Sequence, residues 1–299
     1  MRLVRYGVKG EERPGRLDAQ GRVRDLSAHV SDLDGTQLLP TTLRALSAID
    51  PESLPLVKGE PRLGPPVANV GKFIAIGLNY KAHVTESNER LPTEPVVFLK
   101  ATSCISGPYD DVVIPRGSTK TDWEVELGVV IGATASYVPR DRALEYVAGY
   151  VIVNDVSERS YQLERQGTWD KGKGCDTFGP IGPWLVTADE IPDVQQLRMW
   201  LDVNGERKQT GSTAEMIFGV ATIVSYLSEF MSLHPGDVIA TGTPPGVGMG
   251  QKPTAQYLKS GDVVRLGIDH LGHQEQRFVA WEDSRKPSQP AAAVSAPFR

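Results

Sequence analysis

The stretch Asp122-Trp-Glu-Val-Glu-Leu-Gly-Val-Val-Ile-Gly132 sets three carboxylates within five residues at the head of a β-branched run. Read with a period of two, Val125, Leu127, Val129 and Ile131 share one side and Asp122, Glu124 and Glu126 the other. The run reads as a strand in a buried sheet. Carboxylates that close repel one another, and burying them is costly unless they are paired. Two readings follow. The acidic side is the solvated face of an edge strand, or its oxygens bind a divalent cation.

Other residues carry chemistry of the same kind. Asp155 ends the apolar run Gly149-Tyr-Val-Ile-Val-Asn-Asp155 and shares a side with Val151 and Val153. It is either a turn residue or the third carboxylate of a hard-oxygen site, which with open positions suits Mg²⁺ or Mn²⁺. His83 and Glu86 lie three apart on a helix expected over 80–89, capped by Asn79. They read as a surface pair or as a carboxylate-oriented general base. Lys173 sits in a glycine-rich loop, where it is solvated, or holds an anion or a developing oxyanion. Lys171 is its decoy two residues away. Thr241-Gly-Thr-Pro-Pro-Gly-Val-Gly248 is a tight connection or a turn whose free N–H groups cradle a carboxylate. It lacks the Gly-Lys-Ser/Thr ending of a phosphate loop.

The elements that must position these residues are mostly strands. Short strands and a helix over 41–49 make a small N-terminal unit, residues 1–68, closed by the Pro-rich linker 61–66. Strands over 72–78 and 96–100 precede the acidic strand, and a helix is expected over 157–165. Asn204-Gly205 marks a hairpin. Residues 69–283 make the main unit, and 284–299 read as a flexible Ser/Pro/Ala-rich tail. The expectation is an α+β, mainly β fold: a mixed core with peripheral helices.

With 40% hydrophobic and 23% charged residues and a net charge of −5, the 299-residue chain has an ordinary globular composition. The absence of a basic block argues against nucleic acid and anionic membranes as partners. No run is long and apolar enough for a membrane span, and the start lacks a signal-peptide pattern. The two cysteines, Cys104 and Cys175, make neither a disulfide framework nor a zinc cluster. These features point to a cytoplasmic protein.

Six segments, in order, resemble the fumarylacetoacetate hydrolase family: 77–86, 98–100, 122–128, 154–162, 173–180 and 241–248. The match spans about 70–282. The resemblance implies a β-roll core, a homodimer and one divalent metal, Mg²⁺ or Mn²⁺, on Glu124, Glu126 and Asp155. It marks His83 and Glu86 as the dyad that activates water, and Lys173 and Gln162 as groups facing the reacting carbonyl. Arg159, Lys100 and Thr243 match positions near the substrate. Glu158 departs from the family's usual small residue. The implied reaction is hydrolysis of a C–C bond in a 2,4-diketo acid, an acylpyruvate or a sugar-derived diketo acid. Oxaloacetate decarboxylation, hydroxymuconate-type isomerisation and ureidoglycolate cleavage are the alternatives that such a site supports, and a catalytically silent binding protein is the remote one. The expected partner is a small 2-keto acid.

Overall fold

The computed structural model describes residues 1–284, so the expected tail, apart from Ser284, lies outside the described residues. The backbone is a mixed, mainly β core with peripheral helices. Eleven strands join one sheet. Its centre is Val125–Ile131, which pairs antiparallel with Val147–Asn154 on one side and with Val238–Ala240 on the other. All seven residues of Val125–Ile131 are buried, as are all eight of Val147–Asn154. Both strands are covered on both faces, so they read as near-continuous apolar runs. Gly128 sits opposite Val151, where a Cβ would lie 2.6 Å from a Val151 methyl, so only glycine fits that register.

The N-terminal strand Arg2–Tyr6 pairs with Gly179–Thr187 and so extends the same sheet. Leu63–Gly64, in the segment expected to be a linker, pairs with Arg5 and Tyr6. Arg62 beside it forms ion pairs with Asp110 and Glu12. The first 64 residues therefore share hydrogen-bonded sheet edges and one buried apolar cluster with the rest.

A second sheet of five strands packs across the first. It holds the Asn204-Gly205 hairpin, whose two turn residues both have positive φ, 52° and 80°, as a type I′ turn requires. A two-stranded ladder, Thr121–Asp122 with Ser157–Glu158, lies beside the site. Two helices are shorter than the sequence pattern predicts, Lys81–Glu86 and Arg159–Leu163, and a longer one spans Val220–Phe230. Among the described residues, no helix is long and apolar enough to cross a membrane.

Candidate active site

Strand register builds the acidic cluster. Val125 pairs with Asn154 and Glu126 with Val153, so one step beyond the ladder Glu124 stands opposite Asp155. The Asp155 N–H donates to the Glu124 carbonyl at 2.9 Å. Cross-strand neighbours share a face, so Glu124, Glu126 and Asp155 converge, with ligand oxygens all within 4.8 Å of one another. They are 4%, 2% and 0% exposed, in the middle of the sheet, which rules out a solvated edge. Asp122 leaves the pattern. It belongs to the separate Thr121–Asp122 strand and accepts from Gly248 N, Met249 N and Arg159 Nε.

Three buried cations surround these carboxylates. Lys173 Nζ lies 2.8 Å from Glu124 Oε2 and 2.7 Å from Asp155 Oδ2. Lys100 Nζ binds Asp155 Oδ1 and the carbonyls of Val156 and Lys173. Arg159 spans Asp122, Glu124 and Gln162. Arginine only donates, so it must meet the oxygen of the Gln162 amide, which leaves the Gln162 NH₂ as the free donor. Burial alone would raise the Glu124 carboxyl, but Lys173 and Arg159 hold it well below the usual carboxylate range. Glu126 goes the other way. Burial, then Asp155 and Glu124, push it far up.

The donor set fits a divalent cation. Asp122, Glu124, Glu126 and Asp155 outnumber Lys100, Arg159 and Lys173, and Glu126 is the carboxyl whose charge burial and its acidic neighbours disfavour until a further cation joins the cluster. An all-oxygen set of three carboxylates is the chemistry of Mg²⁺ or Mn²⁺.

His83 comes from the Lys81–Glu86 helix and lines the same cavity as the three acids, Gln162, Lys173 and Thr243. Burial, against the pull of Glu124, brings its imidazole down to about 4, so it is neutral near pH 7. Glu86 is partly buried, and burial pushes its carboxyl up. No hydrogen bond joins the two. His83 Nδ1 and Glu86 Oε1 are each buried without a partner. Glu86 Oε2 instead accepts from Gly246 N at 2.7 Å.

The 241–249 turn does cradle carboxylates, and they are the protein's own. Its N–H groups at Gly242, Gly246, Gly248 and Met249 donate to Glu126, Glu86 and, twice, Asp122. Gly246 has φ 106°, and a Cβ there would lie 1.9 Å from the Lys208 carbonyl, so the turn requires glycine. Asn79 does not cap the helix. Tyr80 occupies that position, and the Asn79 amide joins Phe218 and Thr241 across the chain.

Lys100 and Arg159, expected near the substrate, are absent from the cavity wall; Lys100 bonds Asp155 and the Lys173 carbonyl, and Arg159 bonds Asp122, Gln162 and Glu124. Thr243 lines the cavity, but its hydroxyl donates to the Val125 carbonyl and accepts from Gln209. Glu158 has a structural role. Its carboxylate caps the Arg159–Leu163 helix through Ser160 and is bonded by Ser118 and Thr121. Lys171, the decoy, is exposed and bonds the Gln166 carbonyl. Sequence reasoning missed Gln209, Phe98 and Trp169. Gln209 lies in a hairpin strand with no local mark, yet it takes the Val125 N–H and holds Thr243. Phe98 and Trp169 are distant in sequence and meet only in the fold, rings 5.4 Å apart and edge to face.

Comparison with known proteins agrees with this geometry. The family profile described as Fumarylacetoacetate (FAA) hydrolase C-terminal matches residues 72–279. A Burkholderia lata protein, named as a hydrolase without a stated substrate, is 63% identical over 276 residues, 92% of this chain and 98% of its own. The fumarylacetoacetate hydrolase of psychrophilic Exiguobacterium antarcticum superposes with TM-score 0.82 at 36% identity, covering 94% of this chain and 99% of that one. The maleylpyruvate hydrolase of Sphingobium sp. SYK-6, solved with manganese(II) ion and pyruvate, gives TM-score 0.77 at 29% identity, with 94% and 99% covered. The profile covers well over half of the chain and the relatives nearly all of it, and the register-built acid cluster is where the two lines of observation meet: the chain is an enzyme belonging to the fumarylacetoacetate hydrolase family.

Proposed function

We propose that the protein hydrolyses the C3–C4 bond of a 2,4-diketo acid, an acylpyruvate, giving pyruvate and a carboxylic acid. The observation that carries this reading is His83: a neutral, buried imidazole with an unpartnered Nδ1, in one cavity with the acid triad, Gln162 and Lys173. The manganese(II) and pyruvate of the maleylpyruvate hydrolase support it. A divalent cation, Mg²⁺ or Mn²⁺, on Glu124, Glu126 and Asp155 would supply a Lewis acid and an orienting charge for the keto-acid oxygens.

The chain's own groups do the rest. His83 Nδ1 and Glu86 Oε1 are each buried without a partner on one short helix, and they are the groups that would hold the attacking water. His83 takes a proton from that water, and the resulting hydroxide attacks C4. The free NH₂ of Gln162 and the remaining N–H of Lys173 face the oxyanion that forms. The C3–C4 electron pair leaves on C3 as the pyruvate enolate, and C3 then takes up a proton. Base and oxyanion donors each contribute on the order of 10²–10⁴ in rate. The family resemblance adds a homodimer to the proposal, which light scattering on the purified protein tests.

The deciding assay follows the enol absorbance of acylpyruvates and, in parallel, pyruvate release, with oxaloacetate as the control substrate. Equimolar loss of enol and gain of pyruvate, sensitive to EDTA and abolished in His83→Ala, is expected. Turnover of oxaloacetate alone, indifferent to His83, would replace the hydrolase by a decarboxylase. Loss of the enol band without pyruvate would point to an isomerase.

A further inference from the structure

The cavity wall has two chemistries. Beside the acids, His83, Gln162, Lys173 and Thr243, the remaining lining is Ile76, Gly77, Leu78, Phe98 and Trp169. These five carry no charge, and the Trp169 indole N–H is their one polar side-chain group. The aromatic pair begins at the chemistry. Lys173 Nζ stands 5.2 Å from the Phe98 ring centre, and the Trp169 ring meets Phe98 edge to face at 66°. Trp169 then closes over Gly77, where an added Cβ would lie 2.4 Å from its ring. Glycine at 77 is what lets the indole sit there. Trp169 also caps the Asp170–Lys173 helix that delivers Lys173, so wall residue and lysine belong to one short segment.

Among the described residues, no unpaired cation lines this wall. Lys173 is the one cationic residue in the lining, and it is already paired with Glu124 and Asp155. Lys100 and Arg159 are absent from this lining and are paired with Asp155 and with Asp122 and Glu124. Arg90, in the segment that follows the His83 helix, is exposed and absent from the lining. A charged tail against these rings would lose its water without gaining a partner, and a polyhydroxylated tail would leave hydroxyls unpaired.

We propose that the Gly77–Phe98–Trp169 wall selects an uncharged, apolar acyl group, so the substrate class is an alkyl- or aryl-substituted acylpyruvate. A diketo diacid or a sugar-derived diketo acid is disfavoured. This rests on the hydrolase reading above, in that it assigns the acyl end of the same substrate.

The test compares butyrylpyruvate with succinylpyruvate. Both have seven carbons and differ only in a terminal methyl against a terminal carboxylate. The metal-loaded enzyme is expected to prefer butyrylpyruvate by at least ~100-fold in kcat/KM, carried mainly by KM. Trp169→Arg, which brings a cation to the wall, should narrow that ratio at least ~10-fold by lowering KM for succinylpyruvate. Calorimetric titration of His83→Ala with each compound separates binding from turnover. Equal or tighter binding of succinylpyruvate overturns the assignment, as does failure to bind either compound. Selective binding of butyrylpyruvate, with no turnover of it by the wild-type enzyme, leaves the wall's selectivity standing and removes the hydrolase reading instead.

Discussion

Asp122 and Arg159 form a fully buried ion pair, Oδ2 to Nε at 2.8 Å, that joins the 241–249 turn to the acid cluster. On one side Asp122 takes the N–H groups of Gly248 and Met249. On the other, Arg159 reaches Glu124 at 2.6 Å and fixes the Gln162 amide at 3.0 Å. Removing one partner of a buried pair strands the other, which costs about 3–5 kcal/mol. Asp122→Ala is therefore expected to lower stability by about that amount, read by urea unfolding. It should also weaken metal binding, because Arg159 is then free to pull Glu124 away. Near wild-type unfolding midpoints would show that the pair carries no such load.

His83 predicts a pH dependence in the metal-free protein. Its folded value, about 4, lies below the ordinary 6.5, because burial disfavours the charged ring. Between those values the unfolded chain holds more protons on this residue. Stability from His83 is thus fully present above 6.5 and is lost as pH falls toward 4. The wild-type curve minus that of His83→Gln should slope upward through this window. A flat difference would mean that His83 is not buried as a neutral ring. In turnover, the basic form of His83 should persist well below neutrality.

Lys173→Met removes an ammonium that bridges Glu124 and Asp155 and faces the cavity. A loss of at least ~10²-fold in kcat is expected, with the far-ultraviolet circular dichroism unchanged. Lys171→Met, two residues away and exposed, should be neutral in both readouts. Equal effects from the two would assign the loss to the loop rather than to the Lys173 ammonium.

Glu126 predicts opposite movements of stability and metal affinity. Burial and two neighbouring carboxylates disfavour its charge in the metal-free protein. Glu126→Gln keeps an acceptor oxygen for the Gly242 N–H while removing that repulsion. The metal-free variant should melt no lower than the metal-free wild type, whereas its Mg²⁺ or Mn²⁺ affinity, measured by calorimetry, should fall at least ~10-fold. A large loss of metal-free stability would show that the carboxylate is satisfied without a cation.

Much of the site was legible because its residues sit in short, locally marked segments. The alternation of Glu124 and Glu126, and Asp155 at a strand end, put carboxylates where apolar side chains belong. The spacing of His83 and Glu86 placed both on one short helix, though the hydrogen bond between them is not made. The glycines of 241–248 announced a turn rich in free N–H groups, but not that Glu126, Glu86 and Asp122 would fill it. Asn79 misled, because its local signature is that of a cap while its amide bridges two distant loops. The Pro-rich 61–66 run misled in the same way, since only its partner strand decides whether an extended segment is a linker or a sheet edge.

The sequence by itself determined the types of the central elements, the acidic residues and the family, because periodicity, turn chemistry and motif order are properties of neighbours along the chain. Tertiary structure alone decided which acids meet. A one-residue slip between Val125–Ile131 and Val147–Asn154 would have turned Asp155 away from Glu124. It also decided which cations are absent from the cavity wall, as Lys100 and Arg159 are, and which apolar groups close the cavity, as Phe98 and Trp169 do. Those are contacts between residues far apart in the chain, fixed by register and packing that no local pattern encodes.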